Sequence, residues 1–376
     1  MGKRIIPSLK PTSEGGGEGI DAYSETDSSL YKKKKIRFAG VGQYPVFIDA
    51  TEWGEGLVLS GAEYQQGLPG NETCGQAIVF PLALELKANP VQPPSWYTSN
   101  VLPAVKPESR KVYSHKGGGG TWEKNWRYRR MKFAGTGSVW NTPPAAGDIT
   151  QINVGDGNDY PFEYLFPSKA EAAKEAASGW KGGIRKSVLA NAEIHSLGYF
   201  DFMRNNDDGS GLGSHVALSS AYGTANGLSR MPYMRDTRRS VGVDGFQMTY
   251  EEILNGIRYP DTVGLGLYAA DQHPITGCNL PITNHPYPKP FYLPLRAHTN
   301  KSVDNLLVAG KLMAQDFLTN AATRLHPIEF NSGTAAGVAA VFMNQWVLSS
   351  TTMLKSSNDV ALRVKANHAP IEWTKP

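Results

Sequence analysis

The sequence predicts an α/β protein built around two short apolar strands that lie far apart along the chain. The uninterrupted apolar run Leu306–Ala309 is typical of a parallel strand that is covered on both faces. Gly310 ends this run, and glycine allows the backbone to approach a ligand closely. Val46–Ile48 is a second short apolar run, expected to be a buried strand, and it leads into the turn 49–51. Ligands bind at the carboxyl ends of strands in open α/β sheets, so both strand ends are candidate binding positions.

A helix rich in small residues is predicted to follow the second strand, with Asn331 or Ser332 as its N-cap. Residues 333–340 include two glycines and four alanines. Small residues let a helix lie close to a strand and leave its positive N-terminus open to an anionic or electron-rich group. They would also suit an ordinary strand–loop–helix unit in which they serve packing alone, so periodicity leaves both interpretations open.

Composition indicates a soluble globular protein and excludes several other classes. The chain has 376 residues, of which 40% are hydrophobic and 19% charged, and its formal net charge is +4. This small charge gives no reason to expect a nucleic-acid partner. No apolar run is long enough to span a membrane. The N-terminus lacks the apolar core of a signal peptide, which leads us to expect a cytoplasmic protein. The two cysteines, Cys74 and Cys278, are not spaced as a metal site but can form one disulfide.

The remaining elements are predicted in chain order from periodicity and turn residues. Residues 1–35 are polar and glycine-rich and end in a lysine cluster, which is typical of a disordered tail. We expect a strand over Gln76–Leu86 and helices over Lys169–Ala177, Val188–Met203 and Tyr250–Leu254. Residues 351–376 are expected to form a polar C-terminal tail.

Two groups of charged residues suggest chemistry, although each has a structural alternative. Arg235, Arg238 and Arg239 lie within five residues, and buried cations need partners. One of them could clamp a substrate carboxylate or hydroxyl, or they could form structural ion pairs with Asp236, Asp244 or Glu251. Asp271 and His273 alternate along a predicted strand, so they would share one face. They could act as an acid/base pair or a substrate clamp, or form a hydrogen-bonded structural pair.

Several segments of the sequence resemble motifs of one enzyme family. Residues 303–310 are VDNLLVAG, and residues 324–327 are RLHP, followed by the helix rich in Ala-Ala-Gly. Residues 48–52 are IDATE, residues 232–239 are PYMRDTRR, and residues 261–273 begin with Asp and end with DQH. Together these segments resemble the FAD-dependent oxidoreductase family that includes the xanthan-lyase-like flavoproteins.

The resemblance implies a fold, a cofactor and a set of site residues. It implies an FAD/NAD(P)-binding Rossmann-like domain in two parts, 36–67 and 296–350, with an inserted α+β substrate domain at 68–295. FAD would be the cofactor, and the flavin would carry hydride chemistry. The implied cofactor contacts are Asp49, Ala50, Thr51, Glu52, Gly310, Lys311, Asn331, Ser332 and Gly333. The implied substrate-face residues are His326, Arg324, Arg239, Asp271 and His273. His326 is the favoured proton carrier, because histidine titrates near neutral pH.

One part of the family's pattern is missing, so the Rossmann-like domain is predicted to be incomplete. Members of the family begin with a βαβ unit whose G-x-G-x-x-G turn holds the ADP half of FAD. Gly40-Val41-Gly42 is not that turn, because the pattern needs glycine where this chain has Pro45. We therefore expect a truncated copy, one half of a split protein, or a chain completed by an N-terminal partner.

These observations leave three hypotheses about function. The first is an FAD-dependent oxidoreductase that acts on an unidentified small-molecule or sugar-like substrate. The second is a non-catalytic remnant or split subunit that needs a partner chain with the ADP-binding unit. The third is a polysaccharide lyase that uses arginine, tyrosine and histidine without flavin. We expect no metal site in any of the three.

Overall fold

A computed structural model of the chain describes residues 32, 45–178, 180, 182–279 and 286–373. The predicted tail at 1–35 lies outside the described residues except for Lys32, and so does Gly40-Val41-Gly42. The strands are β1 Phe47–Asp49, β2 Tyr64–Gln65, β3 Ile78–Val79, β4 Leu82–Leu86, β5 Arg130–Lys132, β6 Ile149–Ile152, β7 Asp159–Tyr160, β8 Val216–Leu218, β9 Arg239–Ser240, β10 Thr262–Gly266, β11 Phe291–Pro294 and β12 Leu306–Val308. The α-helices are α1 Glu55–Leu59, α2 Pro107–Val112, α3 Trp122–Tyr128, α4 Lys169–Ser178, α5 Lys186–Asn205, α6 Tyr250–Asn255, α7 Phe317–Thr323, α8 His326–Trp346, α9 Ser350–Leu354 and α10 Ser357–Ala366. This mixture of helices and strands agrees with the predicted α/β class.

The chain divides into two compact units. Among the described residues, unit 1 consists of residues 32, 77–165 and 184–234, and unit 2 consists of residues 45–76, 166–183 and 235–373, apart from the gaps given above. The three predicted helices, Lys169–Ala177, Val188–Met203 and Tyr250–Leu254, are found as α4, α5 and α6, each within two residues of its expected bounds. The predicted strand Gln76–Leu86 is split into β3 and β4 around Pro81, because proline has no N–H to donate to a ladder. The assignment of cofactor and substrate roles to particular stretches of the chain stays a prediction.

Unit 1 is built on antiparallel strands and one long helix. Its four-stranded sheet has the order β5-β6-β4-β8, and β3 pairs separately with β7. Helix α5 packs against these strands and buries Leu197, Tyr199, Phe200 and Met203. Consecutive residues of β4, such as Leu82, Ala83 and Leu84, are buried, and α5 is buried around most of its circumference, so both supply the core of this unit.

Unit 2 contains the parallel strand pair that the sequence analysis singled out. β1 pairs with β12 in parallel, with Ile48 opposite Leu307, and α8 packs against both strands. Leu306–Val308 is buried throughout, as predicted. The expectation of a buried strand was wrong for β1, where Phe47 and Ile48 are each 42% exposed. Among the described residues, β1 has a ladder partner on one side only.

The predicted polar C-terminal tail was also wrong, because residues 350–366 form α9 and α10. Met353, Val360 and Val364 are completely buried in a cluster with Leu307 of β12 and Phe342 of α8. Val360 and Val364 are four residues apart, so they lie on one face of α10, and Met353 of α9 joins the same cluster. Burial of this face against α8 holds the segment in place.

A disulfide joins Cys74 to Cys278 across a sequence separation of 204 residues, with the two Cα atoms 5.9 Å apart. Both cysteines belong to unit 2. Disulfides persist mainly in oxidising compartments, so this bond opposes the cytoplasmic expectation, which stays a prediction. Within the described residues, no helix combines the length and apolar character needed to cross a membrane.

Candidate functional site

The two predicted strand ends meet at one edge of the β1–β12 pair. Asp49 is the register partner of Val308, and the Ala309 N–H donates to the Asp49 carbonyl at 3.0 Å. The turn that follows β1 and the turn that follows β12 therefore lie side by side. The parallel pairing thus brings together the two strand ends that the sequence analysis named as candidate binding positions.

Asp49 organises the turn after β1 from a buried position. Its Oδ1 accepts hydrogen bonds from the Thr51 N–H at 3.0 Å and the Thr51 hydroxyl at 2.7 Å, and its Oδ2 accepts one from the Leu57 N–H at 2.8 Å. Only 4% of Asp49 is exposed. The carboxylate thus caps the start of α1 and is satisfied within the protein, whereas Ala50 and Thr51 are exposed beside it.

Lys311 lies in a buried charge cluster at the same strand ends, which we call the Lys311 cluster: Lys311, Glu52 and Glu329. The Lys311 side chain is 4% exposed; its ammonium contacts Glu52 Oε1 closely and lies 3.6 Å from Glu329 Oε1. Burial raises the pKa of Glu329, and the nearby Lys311 charge opposes this shift. Two carboxylates around one ammonium give the cluster a net negative formal charge when all three are ionised.

Gly310 is held by the helix that packs on the strands. It adopts a left-handed φ of 65°, and its N–H donates to Ser332 Oγ at 2.9 Å. His298 Nε2 lies 3.1 Å from the same Ser332 oxygen. The predicted cofactor residues Gly310 and Ser332 therefore bond to each other through main chain and side chain.

The prediction that Asn331 or Ser332 caps the following helix was wrong. Helix α8 begins at His326 after the extended N-cap residue Leu325, with Pro327 in its first turn. Proline is pre-organised for a first helical turn, which explains the earlier start. Asn331, Ser332 and Gly333 consequently lie in the second turn, where the amides bond to carbonyls of the helix itself.

A second group, the Asp271 cluster, consists of Asp271, Tyr268, His273 and Arg324. Asp271 Oδ2 lies 3.2 Å from His273 Nε2 and accepts hydrogen bonds from the Tyr268 hydroxyl at 3.0 Å and from Arg324 Nη2 at 2.8 Å. Arg324 Nη2 also donates to the Asp271 carbonyl at 2.9 Å. The structure therefore brings together three of the five predicted substrate-face residues.

The Asp271 cluster combines a buried anchor with an accessible acid. The Arg324 side chain is 2% exposed, the His273 side chain 18% and the Asp271 side chain 42%. The hydrogen bond with His273 lowers the pKa of Asp271 well below its usual range, and the Arg324 charge and the Tyr268 hydroxyl act in the same direction. Asp271 is thus a fixed carboxylate that orients the imidazole beside it.

A chain of buried polar side chains connects the strand ends to the Asp271 cluster. The Lys311 carbonyl accepts hydrogen bonds from Gln315 Nε2 at 3.1 Å and from Asn320 Nδ2 at 3.2 Å. The Thr323 hydroxyl donates to Gln315 Oε1 at 2.7 Å, and Thr323 directly precedes Arg324. This path gives the two clusters a defined geometry relative to each other.

Comparison with protein-family models matches this chain to a known family. The model for FAD dependent oxidoreductase covers residues 31–349, which is most of the chain. The chain belongs to the FAD-dependent oxidoreductase family. Comparisons with curated proteins and with solved structures found no significant match. FAD is the cofactor of this family, which confirms the cofactor predicted from the sequence.

The strand-end region of this FAD-dependent oxidoreductase offers room for the cofactor but few uncommitted donors. On α8, a Cβ added to Gly333 or Gly337 would meet no described atom within 4 Å beyond the helix's own backbone. These positions and the exposed Ala50–Thr51 turn fit the close approach of a flat ring. By contrast, Asp49, the Gly310 N–H and Lys311 already have partners within the protein.

Arg239 forms a structural ion pair, which was the alternative to a substrate contact. It is 1% exposed, donates to Asp236 Oδ1 at 2.5 Å, and also donates to the Gly67 carbonyl at 2.9 Å. Its strand, β9, consists of Arg239 and Ser240 alone. A substrate contact by Arg239 stays a prediction that this geometry does not favour.

The other expected substrate-face residue, His326, is exposed on the first turn of α8. Sequence reasoning missed Tyr268, His298 and Glu329. Tyr268 and Glu329 lie inside segments that carried the family resemblance, so their position was a usable signal. His298 offered none, because a single histidine between a proline-rich stretch and the last strand has no distinctive spacing.

Proposed function

We propose that this chain is the flavin- and substrate-binding part of an oxidoreductase that transfers hydride between FAD and a small, hydroxyl-bearing, sugar-like substrate. The Asp271 cluster carries the proposal, because it places an oriented histidine, an ionised carboxylate and an arginine in one partly exposed group. The proposal includes the xanthan-lyase-like resemblance, the incomplete Rossmann-like domain at 36–67 and 296–350, and the substrate domain at 68–295.

FAD, when bound, supplies the hydride acceptor. Ala50 and Thr51 after β1, and Gly333 on α8, are the positions we assign to its binding because they are exposed or open at the meeting strand ends. Six further residues support this site from inside the protein: Asp49, Glu52, Gly310, Lys311, Asn331 and Ser332. Their hydrogen bonds and ion pairs within the protein support the exposed positions.

His273 is the residue we assign as proton carrier. Oxidation of a hydroxyl-bearing carbon releases a hydride and a proton, and His273 would accept the proton from the hydroxyl as a carbonyl forms. Asp271 accepts the hydrogen bond from His273 Nε2, which fixes the ring and stabilises its charged form. Arg324 holds Asp271 in place from its buried position.

The decisive experiment compares the two histidines that the sequence nominated. We expect His273→Asn to slow anaerobic reduction of the bound flavin by a panel of aldoses and polyols by about 10²–10⁴-fold, because a general base is lost. FAD affinity should not change. His326→Asn is the matched control, and in this variant the substrate should reduce the bound flavin at the wild-type rate. The opposite pattern would transfer the proton-carrier role to His326.

A second test addresses the cofactor position. Gly333 and Gly337 lie one turn apart on α8 with equally open surroundings, so a leucine is sterically possible at both. We expect Gly333→Leu to weaken FAD binding at least about tenfold, a difference of roughly 1.4 kcal/mol. Gly337→Leu should leave binding unchanged. Equal binding of FAD by both variants would remove Gly333 from the cofactor site.

The second hypothesis, a split or non-catalytic subunit, has one observation in its favour. The groups at the strand ends that would best bind a pyrophosphate are engaged inside the protein, and the Lys311 ammonium is paired with two carboxylates. Such a site would hold the flavin half of FAD and depend on a partner chain for the ADP half. A colourless protein that becomes yellow only when mixed with a βαβ-containing partner would establish this alternative.

A further inference from the structure

His298 is a completely buried histidine whose two ring nitrogens are both engaged. It is 0% exposed and ends the turn Leu295–His298 before the last strand. Its Nδ1 lies 3.1 Å from the Pro294 carbonyl and its Nε2 lies 3.1 Å from Ser332 Oγ. Ser332 is also 0% exposed and lies on α8.

The hydrogen atoms in this chain of contacts can be assigned from chemistry alone. The Pro294 carbonyl can only accept, so His298 Nδ1 must carry a hydrogen. In the neutral ring Nε2 is then an acceptor, and the Ser332 hydroxyl donates to it. The remaining lone pair of Ser332 Oγ accepts the Gly310 N–H at 2.9 Å. The order of donors is therefore Gly310 to Ser332, Ser332 to His298, and His298 to Pro294.

This relay ends on the glycine that turns the chain at the tip of β12. Gly310 has a φ of 65°, and its amide bond to Ser332 ties the turn to α8. Lys311 follows immediately, so the same turn sets the direction of the Lys311 side chain towards Glu52 and Glu329. Burial lowers the pKa of His298 to about 4, which keeps the ring neutral and the direction of the relay fixed.

We propose that His298, acting through Ser332, is a positioning residue that sets the Gly310 turn and thereby the geometry of the flavin site. The inference rests on the proposed function for its consequence in FAD binding, although the relay itself is observed independently. His298 cannot itself contact substrate or cofactor, because none of its surface is exposed. Its effect must therefore pass through Ser332 and Gly310.

The test measures FAD affinity and amide exchange together. We expect His298→Leu and Ser332→Ala each to raise the dissociation constant for FAD, measured by equilibrium dialysis, about tenfold. The double variant should bind FAD as tightly as the weaker-binding of the two single variants, because both substitutions break the same relay. The peptide around Gly310 should exchange its amide hydrogens faster in all three. His298→Gln, which keeps one donor and one acceptor, should lie closer to wild type than His298→Leu.

A matched control comes from unit 1. His195 is 1% exposed, and neither of its ring nitrogens has a hydrogen-bond partner among the described residues. His195→Leu therefore removes an equally buried imidazole without touching the relay, and it should leave FAD affinity and Gly310 exchange unchanged. This control separates a general cost of removing a buried histidine from the specific effect.

The outcomes are distinguishable. If wild type binds FAD and the His298→Leu and Ser332→Ala variants bind it equally well, the positioning role is wrong while the proposed function stands. If wild type binds no FAD even at millimolar concentration, the proposed function fails, and the positioning role fails with it. Should His298→Leu not fold, Ser332→Ala decides alone, since it removes only a hydroxyl.

Discussion

Glu193 and His195 lie two positions apart on α5 and show how burial acts on single ionisable side chains. Glu193 is 4% exposed and has no hydrogen-bond or ion-pair partner among the described residues, and burial raises its pKa to about 8. Burial lowers the pKa of His195 to about 4. Both side chains are therefore favoured in their neutral forms, and they should give opposite dependences of stability on pH.

We expect Glu193→Gln to remove an alkaline loss of stability. Since the pKa of Glu193 is about 8 in the folded chain and ordinarily 4.5, its contribution is fully present below pH 4.5 and is lost as pH rises towards 8. At alkaline pH the glutamine variant should be more stable than wild type by at least about 1 kcal/mol. Urea unfolding followed across this pH range is the measurement.

His195, two positions further along α5, provides a control whose effect on the pH dependence of stability has the opposite sign. The pKa of His195 falls from 6.5 to about 4 on folding, so its contribution is present above pH 6.5 and is lost as pH falls towards 4. His195→Leu should flatten the acid side of the stability profile and leave the alkaline side unchanged. Identical profiles for wild type and both variants would show that these groups do not control the pH dependence.

Sequence patterns predicted some residue contacts but not the partners of the charged residues at the strand ends. The pairing of Asp271 with His273 was expected from strand alternation, and the two side chains do meet. The expected strand is not the cause, because β10 ends at Gly266 and the contact forms in an irregular segment. Lys311 and Glu52 are 259 residues apart, and nothing in the spacing of charges indicates that they pair.

At the scale of elements, α8 and the helices after it show what local signals decide. The strand β12 was predicted within one residue because an apolar run bounded by a glycine is a strong signal. The start of α8 was predicted too late, because Asn331 and Ser332 are good N-caps in isolation. Pro327 and the extended Leu325 determine the true start. The local preference of Asn331 and Ser332 for a cap therefore yields to a helix start that is set five residues earlier.

We expect the C-terminal helices to contribute to the stability of unit 2 through their buried face. Met353→Ala should lower the free energy of unfolding by about 2–5 kcal/mol, because a completely buried side chain leaves a cavity in the cluster around Leu307 and Phe342. Leu362→Ala is the matched control on α10, since Leu362 is 64% exposed. Chemical denaturation of the two variants compares them directly, and equal losses would contradict a packed role for this face.

At the scale of the whole molecule, local patterns predicted the α/β class, whereas contacts between distant parts of the chain define the two compact units. Unit 2 takes up residues 166–183 between two stretches of unit 1, and it also contains Asp271 and His273. The short stretch 166–183 has the composition of an ordinary surface helix and loop. Only contacts between distant parts of the chain, such as the bond from Arg238 Nη2 to the Gly183 carbonyl at 2.5 Å, assign it to unit 2.

We expect loss of the disulfide to destabilise unit 2 as a whole. A cross-link between Cys74 and Cys278 restricts the unfolded chain over a long loop, and removing a native disulfide typically costs about 2–5 kcal/mol. Cys74→Ser and Cys278→Ser should each show this loss, and the double variant should show no more. Thermal unfolding with and without reductant measures it. An unchanged midpoint on reduction of wild type would show that the bond adds no stability.

The same sulfur–sulfur bond also affects how the protein behaves once a protease has cut it. Every described residue of unit 1 from 77 onwards lies between the two half-cystines in the sequence. A single nick in that interval yields fragments that migrate together on a non-reducing gel and separate only after a thiol is added. An oxidised preparation that looks intact on such a gel can therefore already be cleaved, and its purity should be judged under reducing conditions.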